Sequence, residues 1–225
     1  MKSMNKTVII FAAHPDDEVI GCGGVIAKHT SSGDKVHVVF MANGVSSRNA
    51  SNQEIGDRQN AAKNAADILG ISSIKQFDFL DNEMDTASLL SVVQAIESVI
   101  DELQPEIIYT HHIGDLNIDH QITHKAVMTA CRPHPDSCVK EIYAFEILSS
   151  TEWQTPNALP FSPNAYFCIS KQIKAKKKAL EAYYAEMQDP PHSRSIKNIM
   201  RLNYLRGNSV GVDCAEAFIL IRKVD

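Results

Sequence analysis

Five short apolar runs, spaced by longer helical patterns, leave this chain few folds to choose from. Residues 7–13 (TVIIFAA), 35–42 (KVHVVFMA), 74–79 (IKQFDF), 106–111 (EIIYTH) and 141–147 (EIYAFEI) are rich in β-branched and aromatic residues and read as strands. The first, second and fourth are apolar almost throughout instead of alternating, the pattern of strands buried on both faces of a parallel sheet. Between the strands, apolar spacing predicts helices over about 18–31, 53–69, 86–103 and 119–131, with Gly70 closing the second. A βαβαβαβαβ order implies an α/β fold. We expect a three-layer sandwich around a mostly parallel, Rossmann-like sheet with right-handed crossovers and strand order about 3-2-1-4-5.

From about residue 148 the texture changes. Residues 148–165 hold three prolines and no clear period, so they read as a loop or arm. A strand at 165–170, helices over about 171–187 and 193–206, and a last strand at 215–222 complete the chain. With 225 residues and 44% hydrophobic content, the expectation is one domain over 1–225 carrying a C-terminal elaboration from about 148.

The net charge of −5 speaks against nucleic acid as a partner, because phosphate binding calls for a basic surplus. The one basic cluster, Lys171, Lys174, Lys176, Lys177 and Lys178, reads as the solvated face of a surface helix. Five scattered cysteines without a CxxC pair suggest reduced thiols in a cytoplasmic protein. Lys2 and Lys6 before an apolar run imitate a signal peptide, but the run ends at once in acids, so export is not expected. No run approaches the roughly 18 apolar residues of a membrane span.

Ligands of open α/β sheets sit beyond the C-terminal strand ends, where strand order reverses. For order 3-2-1-4-5 that place lies between the first and fourth strands, and both end in polar clusters: HPDDE at 14–18 and HHIGDLNIDH at 111–120. Three adjacent carboxylates repel one another, which points to a cation. His14 and Asp17, three residues apart at a strand-to-helix turn stiffened by Pro15, can face a common centre. His120, at the start of the next helix on the facing loop, is the best third ligand. Two nitrogens, one carboxylate and an open position describe a catalytic zinc site, which acidifies water and polarises a carbonyl. Asp16 is then left beside the metal as general base, and Glu18 suits the positive N-terminal turn of the helix. The glycines of GCGG (21–24) lie too far beyond the first strand for a dinucleotide loop and read as close helix packing. CRPHPDSC, 131–138, reads as a plain loop rather than a second metal site.

The AHPDDE motif, followed by an xxDH element after a later strand, resembles the PIG-L or LmbE-like family of zinc-dependent deacetylases of N-acetylglucosamine derivatives. The segments at 44–70, 79–85, 191–195 and 211–218 also look like family segments, so the resemblance runs over nearly the whole chain. It implies zinc ligation by His14, Asp17 and His120, Asp16 as base, and Asp119 as a group orienting a ligand. Arg58 matches a family arginine near the substrate, and Asp81 and Asn82 fall where a loop meets the sugar. One departure stands out. Many members carry HPDH where this chain has NIDH, placing Asn117 at the first position; an asparagine can donate to an oxyanion but cannot deliver a proton. Either Asp16 then serves as both base and acid, or another group supplies the proton, and His192, beside Arg194, is the candidate for it.

The expected function is therefore a zinc-dependent hydrolase that removes acetyl from an N-acetylated sugar, nucleotide sugar or glycoconjugate. Iron or cobalt would accept the same ligands. Alternatives are a metal-dependent hydrolase of another amide or ester, a non-catalytic sugar-binding module, and a nucleotide-binding Rossmann protein. The loops at 43–52 and 148–165 are expected to select the leaving group. Sequence alone leaves the oligomeric state open, including a homo-oligomer.

Overall fold

The computed structural model describes residues 5–42, 44 and 52–225. Among them seven strands form one sheet: β1 (Thr7–Ala12), β2 (Lys35–Ala42), β3 (Ser73–Phe79), β4 (Ile107–His111), β5 (Glu141–Phe145), β6 (Ala165–Cys168) and β7 (Ala215–Lys223). Their order is β3-β2-β1-β4-β5-β7-β6. Strands β1 to β5 run parallel, whereas β7 pairs antiparallel with β5 and β6 antiparallel with β7. The predicted 3-2-1-4-5 core is present, and the C-terminal elaboration extends the same sheet beyond β5.

Among the described residues there are six α-helices: α1 (Asp17–Ser31), α2 (Asn52–Leu69), α3 (Leu89–Leu103), α4 (Ile118–Ala130), α5 (Ile173–Ala182) and α6 (Ile196–Asn208). The continuous apolar run of β1 is explained by the two cores it serves. Val8, Ile10 and Ala12 pack with residues of α1, α2, α5 and α6, while Ile9 and Phe11 pack with residues of α3 and α4. Successive side chains of a strand point to opposite faces, so a strand covered on both must be apolar at every position. Two helices differ from expectation. The third begins at Leu89, where the Ser88 hydroxyl accepts from the Ser91 N–H, and the fifth ends at Ala182 before a short 3-10 turn, Tyr184–Glu186.

GCGG packs closely, as expected. A Cβ on Gly21 would lie 2.6 Å from a Phe145 ring carbon, and one on Gly24 2.6 Å from Ile169 Cδ1. The lysine cluster needs correcting at one position. Lys176 is 0% exposed, and its ammonium sits 2.6 Å from Glu216 and donates to the Ile20 carbonyl at 2.8 Å. Glu216 in turn accepts from the Gly24 and Val25 amides, tying α5 and β7 to the middle of α1. A periodic lysine pattern marks a helix face, but only the neighbouring chain decides whether that face meets water.

Candidate metal centre

The sheet reverses direction of strand addition between β1 and β4, and both polar clusters sit there. Past β1 the backbone makes a tight entry into α1. Asp16 adopts φ +121°, a region costly for a residue with a Cβ. Three side chains hold that turn. Glu18 accepts the Asp16 N–H at 3.0 Å, Asp17 accepts the His14 N–H at 2.9 Å, and Arg58 donates to the Pro15 carbonyl from Nε (3.0 Å) and Nη2 (2.7 Å). The acids of HPDDE are thus divided in labour, two of them shaping the loop through backbone amides.

His14, Asp17 and His120 converge. Asp17 Oδ2 lies 3.4 Å from His14 Nδ1 and 3.3 Å from His120 Nε2, and ligand atoms of all three residues lie within 4.8 Å of one another. These separations are long for hydrogen bonds but match the roughly 3.3 Å that a tetrahedral ion with bonds of about 2.0–2.1 Å imposes between its ligand atoms. The buried Oδ1 of Asp17 has no hydrogen-bond partner among the described residues. Two nitrogens and one carboxylate, whose second oxygen is buried and unsatisfied, fit a divalent transition metal.

A second group, His14, Asp81 and Asp119, also lies close enough to share an ion. Its chemistry is that of support. Asp119 Oδ2 accepts from His14 Nε2 (2.9 Å) and the Asn82 amide (2.7 Å), and Oδ1 accepts from the Met84 amide (3.1 Å). With both oxygens engaged, Asp119 orients the His14 ring so that Nδ1 faces Asp17. Asp115 faces His120 on the other side, its Oδ1 3.1 Å from His120 Nδ1 as a charge contact and not an aligned hydrogen bond. Asp115 is itself fixed by the Ser150 hydroxyl and by Thr151 Oγ1 at 2.7 Å.

The electrostatics are strongly coupled. Burial would raise the Asp17 carboxyl, but the charge of His120 and the imidazoles of His14 and His111 close beside it hold it well below the usual carboxylate range. Asp16 moves the other way: burial, aided by Asp17 and Glu186, raises it against Arg194 and Arg58. Its Oδ2 accepts from Arg194 Nη1 at 3.1 Å and lies 3.4 Å from Arg58 Nη2, while its buried Oδ1 has no partner among the described residues. Burial also pushes Glu18 up to about 8, against hydrogen bonds that include one from the Tyr183 hydroxyl.

The remaining predicted residues gather around one polar cavity of about 310 Å³. His14, Arg58, Asn82, Asn117 and His192 line it, together with Arg194, Glu186 and Trp153. Arg58 is 5% exposed and already engaged by Pro15, the Gly44 carbonyl and Glu186, so it braces the loop as well as facing the cavity. Asn117 caps α4, its Oδ1 accepting from the Asp119 and His120 amides, while its Nδ2 donates to Asn82 Oδ1 at 3.0 Å. His192 Nδ1 accepts from the Arg194 amide, which places the ring proton of its neutral form on Nε2. His111 stacks on His120 with centroids 3.8 Å apart and accepts the Ala13 N–H, so it packs the site from behind. Among the described residues CRPHPDSC contributes to no metal-binding group. Of the expected selectivity loop at 43–52, residue 43 and residues 45–51 lie outside the described residues.

Sequence reasoning missed Asp115, and it left Arg194 without a role. The first stood in plain view inside HHIGDLNIDH, with nothing local to tell it from its neighbours. The second lies 178 positions from the carboxylate it grips.

The family model described as "PIG-L: GlcNAc-PI de-N-acetylase" matches residues 9–131, more than half of the chain. The chain belongs to the PIG-L family. That span carries HPDDE and NIDH, hence both halves of the candidate metal centre described above. Escherichia coli K12 has a relative named "Uncharacterized deacetylase YaiS", 29% identical over 77% of this chain and 91% of its own length. A Bacillus cereus relative named "Probable N-acetyl-alpha-D-glucosaminyl L-malate deacetylase 2" is 26% identical over 87% of this chain and 91% of its own. The PIG-L fold is not confined to deacetylases by name. GalB, the 4-carboxy-2-hydroxymuconate hydratase from Pseudomonas putida KT2440, superposes with a TM-score of 0.78 at 22% identity, covering 98% of each chain.

Proposed function

We propose that this chain is a zinc-dependent N-deacetylase acting on the acetamido group of an N-acetylated sugar or sugar conjugate. The observation that carries the proposal is Asp16: a buried carboxylate with one oxygen clamped by arginine and the other unpartnered, beside a His-Asp-His ligand set. The names of the family model and of the two bacterial relatives support the reaction and the sugar. Zinc, or iron or cobalt in the same ligands, supplies polarisation of the amide carbonyl and a lowered pKa for water.

The chain's own groups supply the rest. Asp16 Oδ1 takes a proton from the attacking water, its raised pKa making it a stronger base than an ordinary carboxylate. Arg194 and Arg58 engage Oδ2, which leaves the unpartnered Oδ1 as the oxygen we assign to the reaction. The second amide proton of Asn117 Nδ2 is available to the developing oxyanion. The proton that Asp16 takes from water passes to the leaving amine, and His192, which lines the same cavity, is the group we assign to relay it. Asn82 and Arg58, both lining the cavity, receive the sugar, and unpaired cysteines suit a reducing cytoplasm.

Because the same fold also serves a hydratase, the reaction must be assayed directly. Acetate release is measured for metal-replete protein against N-acetyl sugars, linear acetamides and simple esters. We expect release from the sugars and a loss of about 10²–10⁴ in kcat for Asp16→Asn with metal content intact. Near-normal turnover in that variant, or release confined to the esters, refutes the proposal.

A further inference from the structure

Trp153 is the only tryptophan of the chain and the one large apolar side chain among the described residues lining the cavity. It is 50% exposed, although tryptophan is usually well buried. Its position is nevertheless fixed from two sides. Trp153 ends a 3-10 turn, Thr151–Trp153, whose Thr151 hydroxyl and preceding Ser150 hydroxyl donate to Asp115, the carboxylate beside His120. Its ring stands nearly perpendicular to that of His192, with centroids 5.4 Å apart and planes at 76°. The Trp153 backbone and the Leu116 backbone both donate to the Ser150 carbonyl, so the turn is joined to the loop that carries Asn117.

A pyranose carries hydroxyls around its rim and C–H groups on its faces. The amide, imidazole, carboxylate and guanidinium groups around the cavity suit the rim. An indole face is electron-rich and attracts the weakly positive C–H groups. At about 310 Å³ the cavity lies at the small end of ligand pockets, which span about 300–1,000 Å³, so it suits one ring with the remainder of the substrate outside.

We propose that Trp153 is the stacking platform for the sugar ring, and that it makes the site select a cyclic N-acetylhexosamine over a small linear acetamide. This rests on the deacetylase reading of the same site, but its principal readout does not. As the only tryptophan, Trp153 reports on its own surroundings through its emission. N-acetylglucosamine is titrated into metal-loaded, full-length Asp16→Asn protein with N-acetylethanolamine as the linear control. In parallel, acetate release from both compounds is compared for the wild type and Trp153→Ala. A saturable change of emission with the sugar alone is expected. The ratio of kcat/KM for the sugar to that for the linear amide should fall roughly tenfold in Trp153→Ala, the size of an aromatic stacking contact. Trp153→Leu, which keeps apolar bulk without a π face, serves the same comparison if the alanine variant fails to fold. Emission that ignores the sugar, or an unchanged ratio in a folded variant, overturns the platform and leaves deacetylation standing. Should the wild type release no acetate from either compound, emission decides: a saturable response keeps the platform while the deacetylase reading fails, and no response removes both.

Discussion

The buried pair Lys176–Glu216 gives the sharpest stability prediction. Lys176→Met removes the ammonium while keeping most of the side-chain volume. Glu216, 2% exposed, then keeps its charge with only the Gly24 and Val25 amides as donors, and the Ile20 carbonyl loses the donor it had from Lys176. Stranding one partner of a buried ion pair costs about 3–5 kcal/mol. For a chain of this length each kcal/mol lowers Tm by about 2–4 °C, so the loss should be roughly 6–20 °C. Adding Glu216→Gln removes the stranded charge, although the neutral amide can accept only one of the two backbone N–H groups well. The double variant should therefore be more stable than Lys176→Met alone by about 1–2 kcal/mol, less than full recovery. Thermal melts and urea titrations of the wild type, both single variants and the double variant complete the cycle. A Lys176→Met midpoint within about 2 °C of wild type, or additive single effects, would refute the view that the pair is desolvated and mutually dependent.

Two further predictions concern the metal centre. Asp115→Ala frees the His120 ring and should weaken metal affinity about 10–100-fold, read by chelator competition; an unchanged affinity would mean that His120 needs no orienting partner. Metal uptake should also release protons. Burial lowers the His120 pKa, but Asp17 and Asp115 outweigh it and push it from 6.5 up to about 9 in the metal-free protein. This raised pKa contributes stability that is complete below about 6.5 and is lost as pH rises through about 9. A ligating nitrogen must be unprotonated, and His14 is raised as well, burial being outweighed by its contacts with Asp119, Asp17 and Asp81, so metal affinity should increase with pH across that window with protons released from both imidazoles. Calorimetric titration in buffers of different ionisation enthalpy tests this, and heats independent of buffer would contradict it.

Local pattern determined a great deal of this protein. Continuous apolar runs at 7–13, 35–42 and 106–111 required strands covered on both faces, and the residue types at the ends of β1 and β4 placed His14, Asp17 and His120 at one crevice. These are short-range facts, set by the period of a strand or helix and by the chemistry of a few adjacent side chains. Tertiary structure decided what local pattern leaves open. Asp115 became the partner of His120 because the 150–151 turn folds against it. Arg194 closed on Asp16 across 178 positions, and Lys176, outwardly one of five surface lysines, was enclosed with Glu216. A buried charge is tolerated only where packing brings its counter-charge within reach, and that encounter depends on how distant segments dock, which no window along the chain contains.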